Sequence, residues 1–456
     1  MNSLSAFFAL MMLISGIVIS CRHGFFQFRQ LGKSIAVSLF PKKSKKNGNN
    51  EITAFQALAT ALGGSIGTAN IAGVACAIIM GGPGSILFMW AAAIIGMGVK
   101  YAEIVLALKY RKRDKDGYCG GAMFYIEKGL TKRGGILSCI AHPLAVIFAV
   151  ACMLSSLIGT TAVQSNTIAL SAFDAANELF AINTDGMIRL ISGVITAFLV
   201  GIVIIGGNQR IAKASEILVP VLAAVYIGIC LICIISFRQN IIPAFERIFA
   251  GAFGLKQAAG GFAGYGIIRA FRIGTAKGVY SNEAGIGSAP MAHAMTSNND
   301  PVKQGMCGIF EVFADTIVMC TMTALVILTS SVEIPYGDAG YSGTKLALDA
   351  FSTVLPRRFA SIFLFISLFL FAYTSIIAWA MYGLQSAKYL FGSKVRLPFC
   401  IIYTFFNISG AVMSIDKAWL AGETMNYLMA VPNLLALLLL SGEIKKITRT
   451  YMQLKR

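Results

Sequence analysis

The chain has 456 residues, of which 57% are hydrophobic and only 13% are charged, about half the charged share of an ordinary soluble domain. Mean hydropathy of +0.73 excludes a water-soluble globular protein, and the recurrence of continuously apolar stretches of about 20 residues excludes an alternating β-barrel pattern. The formal charge of +18 falls between those stretches without forming an aromatic-interleaved basic patch, so it marks membrane topology and not a nucleic-acid partner.

The pattern predicts an all-α integral membrane protein of about 11 transmembrane helices, over residues 3–21, 52–81, 85–110, 138–162, 187–207, 214–237, 256–272, 304–330, 357–388, 396–414 and 417–441. The first stretch has no basic residue before it and is followed by Arg22, Arg29, Lys33 and the run Lys42-Lys43-Ser44-Lys45-Lys46. That flank predicts a retained helix with its N-terminus outside, the alternatives being a cleaved signal peptide or lipidation at Cys21. Phe25 to Phe40 is amphipathic and basic, which predicts an interfacial helix, a plain loop being the alternative. Loop 22–50 holds seven Lys/Arg and no acid, and Lys109, Arg111, Lys112, Arg113 and Lys115 follow the third span. Later basic clusters fall on the same side, Arg238 and Arg247 excepted, while 171–186 carries Asp174, Glu178 and Asp185 with no basic residue. The C-terminus is therefore expected in the cytoplasm.

Two spans are interrupted by glycine-rich segments five spans apart: Gly63-Gly64-Ser65-Ile66-Gly67-Thr68-Ala69-Asn70 in the second and Gly260-Gly261-Phe262-Ala263-Gly264-Tyr265-Gly266 in the seventh. An unwound turn inside a bilayer leaves N–H and C=O groups without helical partners, a cost that a ligand can offset. Amides at half-helix N-termini suit a carboxylate, and carbonyls at the opposite ends suit a small cation. Such breaks at corresponding places of two halves point to an inverted-repeat transporter with a midplane site. Nearby polar residues are Gln164-Ser165-Asn166, near the end of the fourth span, and Thr374-Ser375 in the ninth.

Other chemistries have little to stand on. Most of the ten cysteines lie inside spans and read as small core residues; Cys230 and Cys233 form a CxxC without a second pair or a histidine nearby. His23, His142 and His293 are widely separated, and no nucleophile, base and orienting group share a plausible spacing, so no enzyme and no cofactor are expected. Lys100, Glu103, Glu216, Glu311 and Asp315 lie mostly near span ends and form no chain of acids, which disfavours a proton relay.

Several segments carry a resemblance: Gly64-Ser65-Ile66-Gly67-Thr68-Ala69-Asn70-Ile71-Ala72-Gly73-Val74, Gly81-Gly82-Pro83-Gly84, Lys100-Tyr101-Ala102-Glu103, Gly120-Gly121-Ala122-Met123-Phe124-Tyr125, and above all Ser281-Asn282-Glu283-Ala284-Gly285-Ile286-Gly287-Ser288-Ala289-Pro290. From residue 52 to 392 the chain resembles the alanine/glycine:cation symporter family. The resemblance implies a leucine-transporter-like inverted repeat with two broken helices, residues 51–441 forming the transporter core between an N-terminal segment, 1–50, and a basic tail, 442–456. It implies alternating-access uptake of alanine, glycine or serine coupled to Na⁺, less often H⁺. In this reading the substrate meets Ser65, Gly67, Thr68, Asn70, Gln164, Gly261 and Phe262, with Phe262 excluding bulk. Na⁺ meets Gly63, Ile66, Thr374 and Ser375. Asn282 and Glu283, in the polar stretch 273–303 taken as the longest non-spanning segment, are expected to be gate or scaffold. Ala69, Thr160-Thr161 and Ala122 depart from the usual glycine, Gly-Asn and proline. A cation-independent exchanger, or a sensor that binds without flux, are the alternative functions.

Overall fold

A computed structural model describes residues 3–41, 51–114, 117–182, 184–254, 263–338 and 340–454. Among them, eight helices are long and apolar enough to cross a membrane. The other three expected spans fall on α1 (Ser3–Arg22), on α4 (Ala54–Ser65) with α5 (Ala72–Gly81), and on α13 (Ala263–Asn282). Between α1 and α4, the amphipathic stretch forms α2 (Phe26–Arg29) and α3 (Leu31–Leu39).

The first bundle half continues with α6 (Ser85–Tyr110), a short antiparallel hairpin of β1 (Lys112–Asp114) and β2 (Gly117–Cys119), and α7 (Ala122–Thr131). Then α8 (Gly135–Leu154) passes through a π turn, Ser155–Gly159, into α9 (Thr160–Phe180). The fourth span is thus longer than the expected 138–162, and Gln164 lies well inside it. It is followed by α10 (Asp185–Ile205), α11 (Asn208–Ser236) and a surface helix, α12 (Ile241–Phe253).

Beyond α13 come α14 (Pro290–Ala294), α15 (Pro301–Val312) running through a second π turn, Phe313–Cys320, into α16 (Thr321–Thr329), then α17 (Gly343–Phe351), α18 (Arg357–Phe391), α19 (Arg396–Val412) and α20 (Ile415–Gln453). The last span runs on past residue 441 as one helix through most of the basic tail. Local sequence sets several starts. Thr53 and Gln56 form a reciprocal capping box on α4, and Asp300 caps α15 ahead of Pro301.

Small residues let the central helices approach closely. A Cβ on Gly305 would lie 2.8 Å from the Tyr101 ring and one on Gly308 would lie 2.3 Å from Ile104, so α15 sits tight on α6. A Cβ on Gly274 would lie 2.1 Å from the Ser85 carbonyl oxygen, which brings α13 equally close to the start of α6.

The expected second break is described only in part. Ala263–Gly266 are helical, opening α13, while Gly260, Gly261 and Phe262 lie outside the described residues. The chain also leaves helical geometry at Glu283 (φ +54), Gly285 (φ +85) and Gly287 (φ +86), between α13 and α14, the second break among the described residues. Residues 273–282, expected in a loop, are the last turns of α13. The whole segment 281–297 is buried, so it is no polar loop away from the bundle centre. The two glycines in the left-handed region supply the turn there.

Candidate functional site: two facing helix breaks

At the first break α4 ends on Ser65, Ile66 turns extended (φ −72, ψ 96), Gly67 is extended (φ −136, ψ −153), and Thr68–Asn70 form one 3₁₀ turn before α5. The freed backbone groups meet side chains. The Gly67 N–H donates to Asn70 Oδ1 at 2.9 Å, and the Thr68 N–H reaches Gln164 Oε1 of α9 at 3.4 Å. On the other side of the break the Ser375 hydroxyl of α18 faces the Gly63 and Gly64 carbonyls at 2.9 and 3.1 Å. Thr374 packs at Gly63, where a Cβ would lie 3.4 Å from the Thr374 Cβ, and its hydroxyl donates to the Phe371 carbonyl. A Cβ on Gly67 would lie 2.8 Å from Ser375 Oγ and 2.9 Å from Gln164 Nε2. Gly63, Ile66, Gly67, Thr68, Asn70, Gln164, Thr374 and Ser375 are therefore one cluster, all buried. Ser65 turns its hydroxyl back to the Ala61 and Leu62 carbonyls, leaving its backbone at the break. The Thr68 hydroxyl is buried without a hydrogen-bond partner among the described residues.

The second break is held as fully. Glu103 Oε1 accepts the Gly285 N–H at 3.0 Å and an Asn433 amide hydrogen at 2.6 Å, while Asn433 also donates to the Gly285 carbonyl and accepts from the Tyr125 hydroxyl. Asn282 accepts the Ala284 N–H and donates to Thr316. Glu283 accepts from the Trp379 indole at 2.8 Å and from Ser288 at 2.6 Å. One carboxylate joins the two breaks: Asp315, in the π turn after α15, accepts from Asn70 at 2.8 Å through one oxygen and from Ser281 at 2.8 Å through the other. The Thr316 hydroxyl adds a third donor at 2.8 Å.

Beside this tie lies a charge cluster that the span assignments did not bring together. Lys100 and Glu311 pair at 3.1 Å, both fully buried, and Glu311 also meets His293 Nε2 at 3.2 Å. The Gln304 amide nitrogen, a donor, sits 2.8 Å from His293 Nδ1. That ring nitrogen must accept, which places the hydrogen on Nε2 facing Glu311. The signal for α15 was in the sequence: Glu311 and Asp315 stand four residues apart, on one helix face. Burial of Glu103, Glu311 and Asp315 was not expected from their nearness to span ends. At the α6 end of the molecule, Arg111 caps the Ala294 and Thr296 carbonyls, Ile52 bridges to Thr296, and Arg113 pairs with Glu51 at 3.2 Å, so the segments leading into both breaks are bound together.

The departures sit differently. Thr161 bonds Tyr403 of α19 and the Ser156 carbonyl. Thr160, four residues before Gln164 and on the same face, is buried with a hydroxyl that has no partner among the described residues. Ala69 packs beside Gly73, where a Cβ would lie 3.4 Å from its own.

The first break, offering amides on one side and carbonyls with hydroxyls on the other, suits a zwitterion and a small cation. The model of the sodium:alanine symporter family matches residues 2–456. The chain belongs to the sodium:alanine symporter family. It is a multi-pass membrane transporter and not an enzyme. Sodium/alanine symporter AgcS of Methanococcus maripaludis is 36% identical over 447 residues, covering 98% of this chain and 94% of that one. The probable sodium/glutamine symporter GlnT of Bacillus subtilis is 36% identical over 447 residues, covering 98% and 88%. Among solved structures, MhsT in complex with L-phenylalanine gives a TM-score of 0.57 at 14% identity, covering 85% of this chain and 89% of that one. A substrate-bound outward-open Na⁺-coupled sialic acid symporter gives 0.53 at 14%, covering 94% and 86%. The symporter thus shares the leucine-transporter-like fold with these two proteins.

Proposed function

We propose that this symporter imports small neutral amino acids, alanine or glycine and also serine, together with Na⁺, across the cytoplasmic membrane, with its N-terminus outside and its C-terminus inside. The observation that carries this reading is the first break, where amide and carbonyl groups freed from the helix face opposite ways and are met only by uncharged side chains. The substrate carboxylate takes the amides of Gly67 and Thr68 and the backbone of Ser65, displacing Asn70 and Gln164 from them and using both side chains as further partners. Gly261 and Phe262 complete the side-chain pocket. Na⁺ takes the Gly63 and Ile66 carbonyls with the Thr374 and Ser375 hydroxyls, hard oxygen ligands without charge that hold the ion weakly enough to release it. Asp315 supplies the negative charge beside the pocket, and Asn282 and Glu283 hold the second break in shape.

Alternating access then follows from the paired breaks. Bound substrate and ion replace the side-chain partners of the freed backbone groups, and the ligand's differential affinity for the closed arrangement drives the shift. The test is uptake of radiolabelled alanine and glycine into proteoliposomes under an inward Na⁺ gradient, an inward H⁺ gradient, or neither. Accumulation with Na⁺ alone is expected, and its Na⁺ dependence should be lost in Thr374→Ala with Ser375→Ala. Equal counter-flow without a gradient would make the protein an exchanger, and unchanged Na⁺ dependence in the double variant would remove those hydroxyls from the ion site.

A further inference from the structure

A cavity of about 490 Å³ opens where the end of α1 and α2 meet the last turns of α20, and none of its lining residues belongs to either break. Arg22, His23, Arg29, Lys445 and Arg449 line it, and no Asp or Glu is among the described lining residues. Arg22 is anchored, donating to the Leu438 carbonyl and the Ser441 hydroxyl, and His23 is held at 3.3 Å from the Ser441 carbonyl. Arg29, Lys445 and Arg449 are exposed and make no hydrogen bond or ion pair among the described residues. Gathering cations around a concavity raises its potential and concentrates an anion there.

The surroundings say which anion. Along α2, α3 and their caps, which continue from the cavity wall at Phe26 and Arg29, Phe25 (46%), Phe28 (54%), Leu39 (52%) and Phe40 (80%) are exposed, an apolar surface on a basic helix pair, as found for helices lying in the interface plane. Phe26 and Met452 add apolar wall to the cavity itself. A phosphate group bearing acyl chains satisfies both features at once, whereas a free phosphate uses only the charges. We propose that this cavity binds the headgroup phosphate of an anionic phospholipid, with its acyl chains against the exposed aromatics of α2 and α3. Basic pockets between transmembrane helices are suited to such headgroups, and Lys/Arg side chains near an anionic surface attract it additively.

The experiment follows thermal unfolding of the full-length protein in detergent, titrated with phosphatidylglycerol, with phosphatidylcholine, or with sodium phosphate. Phosphatidylglycerol should raise the melting temperature saturably, and the other two should not. Arg29→Gln with Arg449→Gln should keep the detergent-only melting temperature but raise the half-saturating phosphatidylglycerol concentration roughly ten- to thirty-fold. Lys213→Gln with Lys394→Gln, exposed basic residues elsewhere, should change it less than about two-fold, because a headgroup bound in the cavity is beyond their screened reach. Should the double variant unfold in detergent, Arg449→Gln alone carries the test with a shift of about five-fold. A wild-type response in the cavity variants, or an equal response in the control pair, overturns the proposal. Stabilisation by sodium phosphate matching that by the lipid would assign the cavity to free phosphate and overturn it equally.

Discussion

Replacing Gly67 by alanine isolates the packing of the first break from its backbone geometry. At φ −136 and ψ −153 alanine is conformationally acceptable, so the added methyl acts only through what it meets. It would meet Ser375 Oγ at 2.8 Å and Gln164 Nε2 at 2.9 Å, closer than carbon approaches either atom. Both are side-chain ends that can withdraw, but Gln164 then gives up the Thr68 amide and Ser375 gives up the Gly63 and Gly64 carbonyls. Each buried group left unpaired costs about 1–3 kcal/mol. Because both positions are proposed ligands, the apparent KM for alanine should rise roughly ten- to a hundred-fold, and the Na⁺ concentration for half-maximal uptake should rise with it. Initial-rate uptake in proteoliposomes, with reconstituted protein quantified, measures both. A Gly67→Ala protein with wild-type KM and Na⁺ dependence would refute the convergence of Gly67, Gln164 and Ser375 on one site.

The Lys100–Glu311 pair should behave as a coupled unit: Lys100→Met or Glu311→Gln alone should destabilise by about 3–5 kcal/mol because a buried charge loses its partner. The double variant should melt above either single in detergent, and additive losses would contradict the pairing. Glu103→Ala strands the Gly285 N–H and an Asn433 amide hydrogen, at about 1–3 kcal/mol each. Glu103→Gln keeps an accepting oxygen and should melt closer to wild type; equal losses would show that charge, and not the acceptor, holds the second break.

Much of this protein is legible in one dimension because the bilayer is a severe solvent. Apolar length reports each long span, and the cluster from Gly63 to Asn70 reports the first break, since no uninterrupted helix needs so many small and polar residues there. The Ser281–Pro290 motif carries the family resemblance but reads in sequence as part of a polar non-spanning stretch, whereas it is buried. Glycine density alone does not find the break at Gly285, which is held at positive φ and has Glu103 and Asn433 to take its amide and carbonyl.

Composition and period therefore determined the membrane class, the motif resemblance the family, and the run of small and polar residues the first break, all of which depend on neighbours in sequence. Tertiary structure alone decided that Thr374 and Ser375 come to Gly63, that Asp315 ties Asn70 to Ser281, and that Lys100, Glu311 and His293 share one buried cluster. Those partners are separated by tens to hundreds of residues, and the energy of a buried polar group depends on what packing brings within hydrogen-bond distance, which no local pattern encodes.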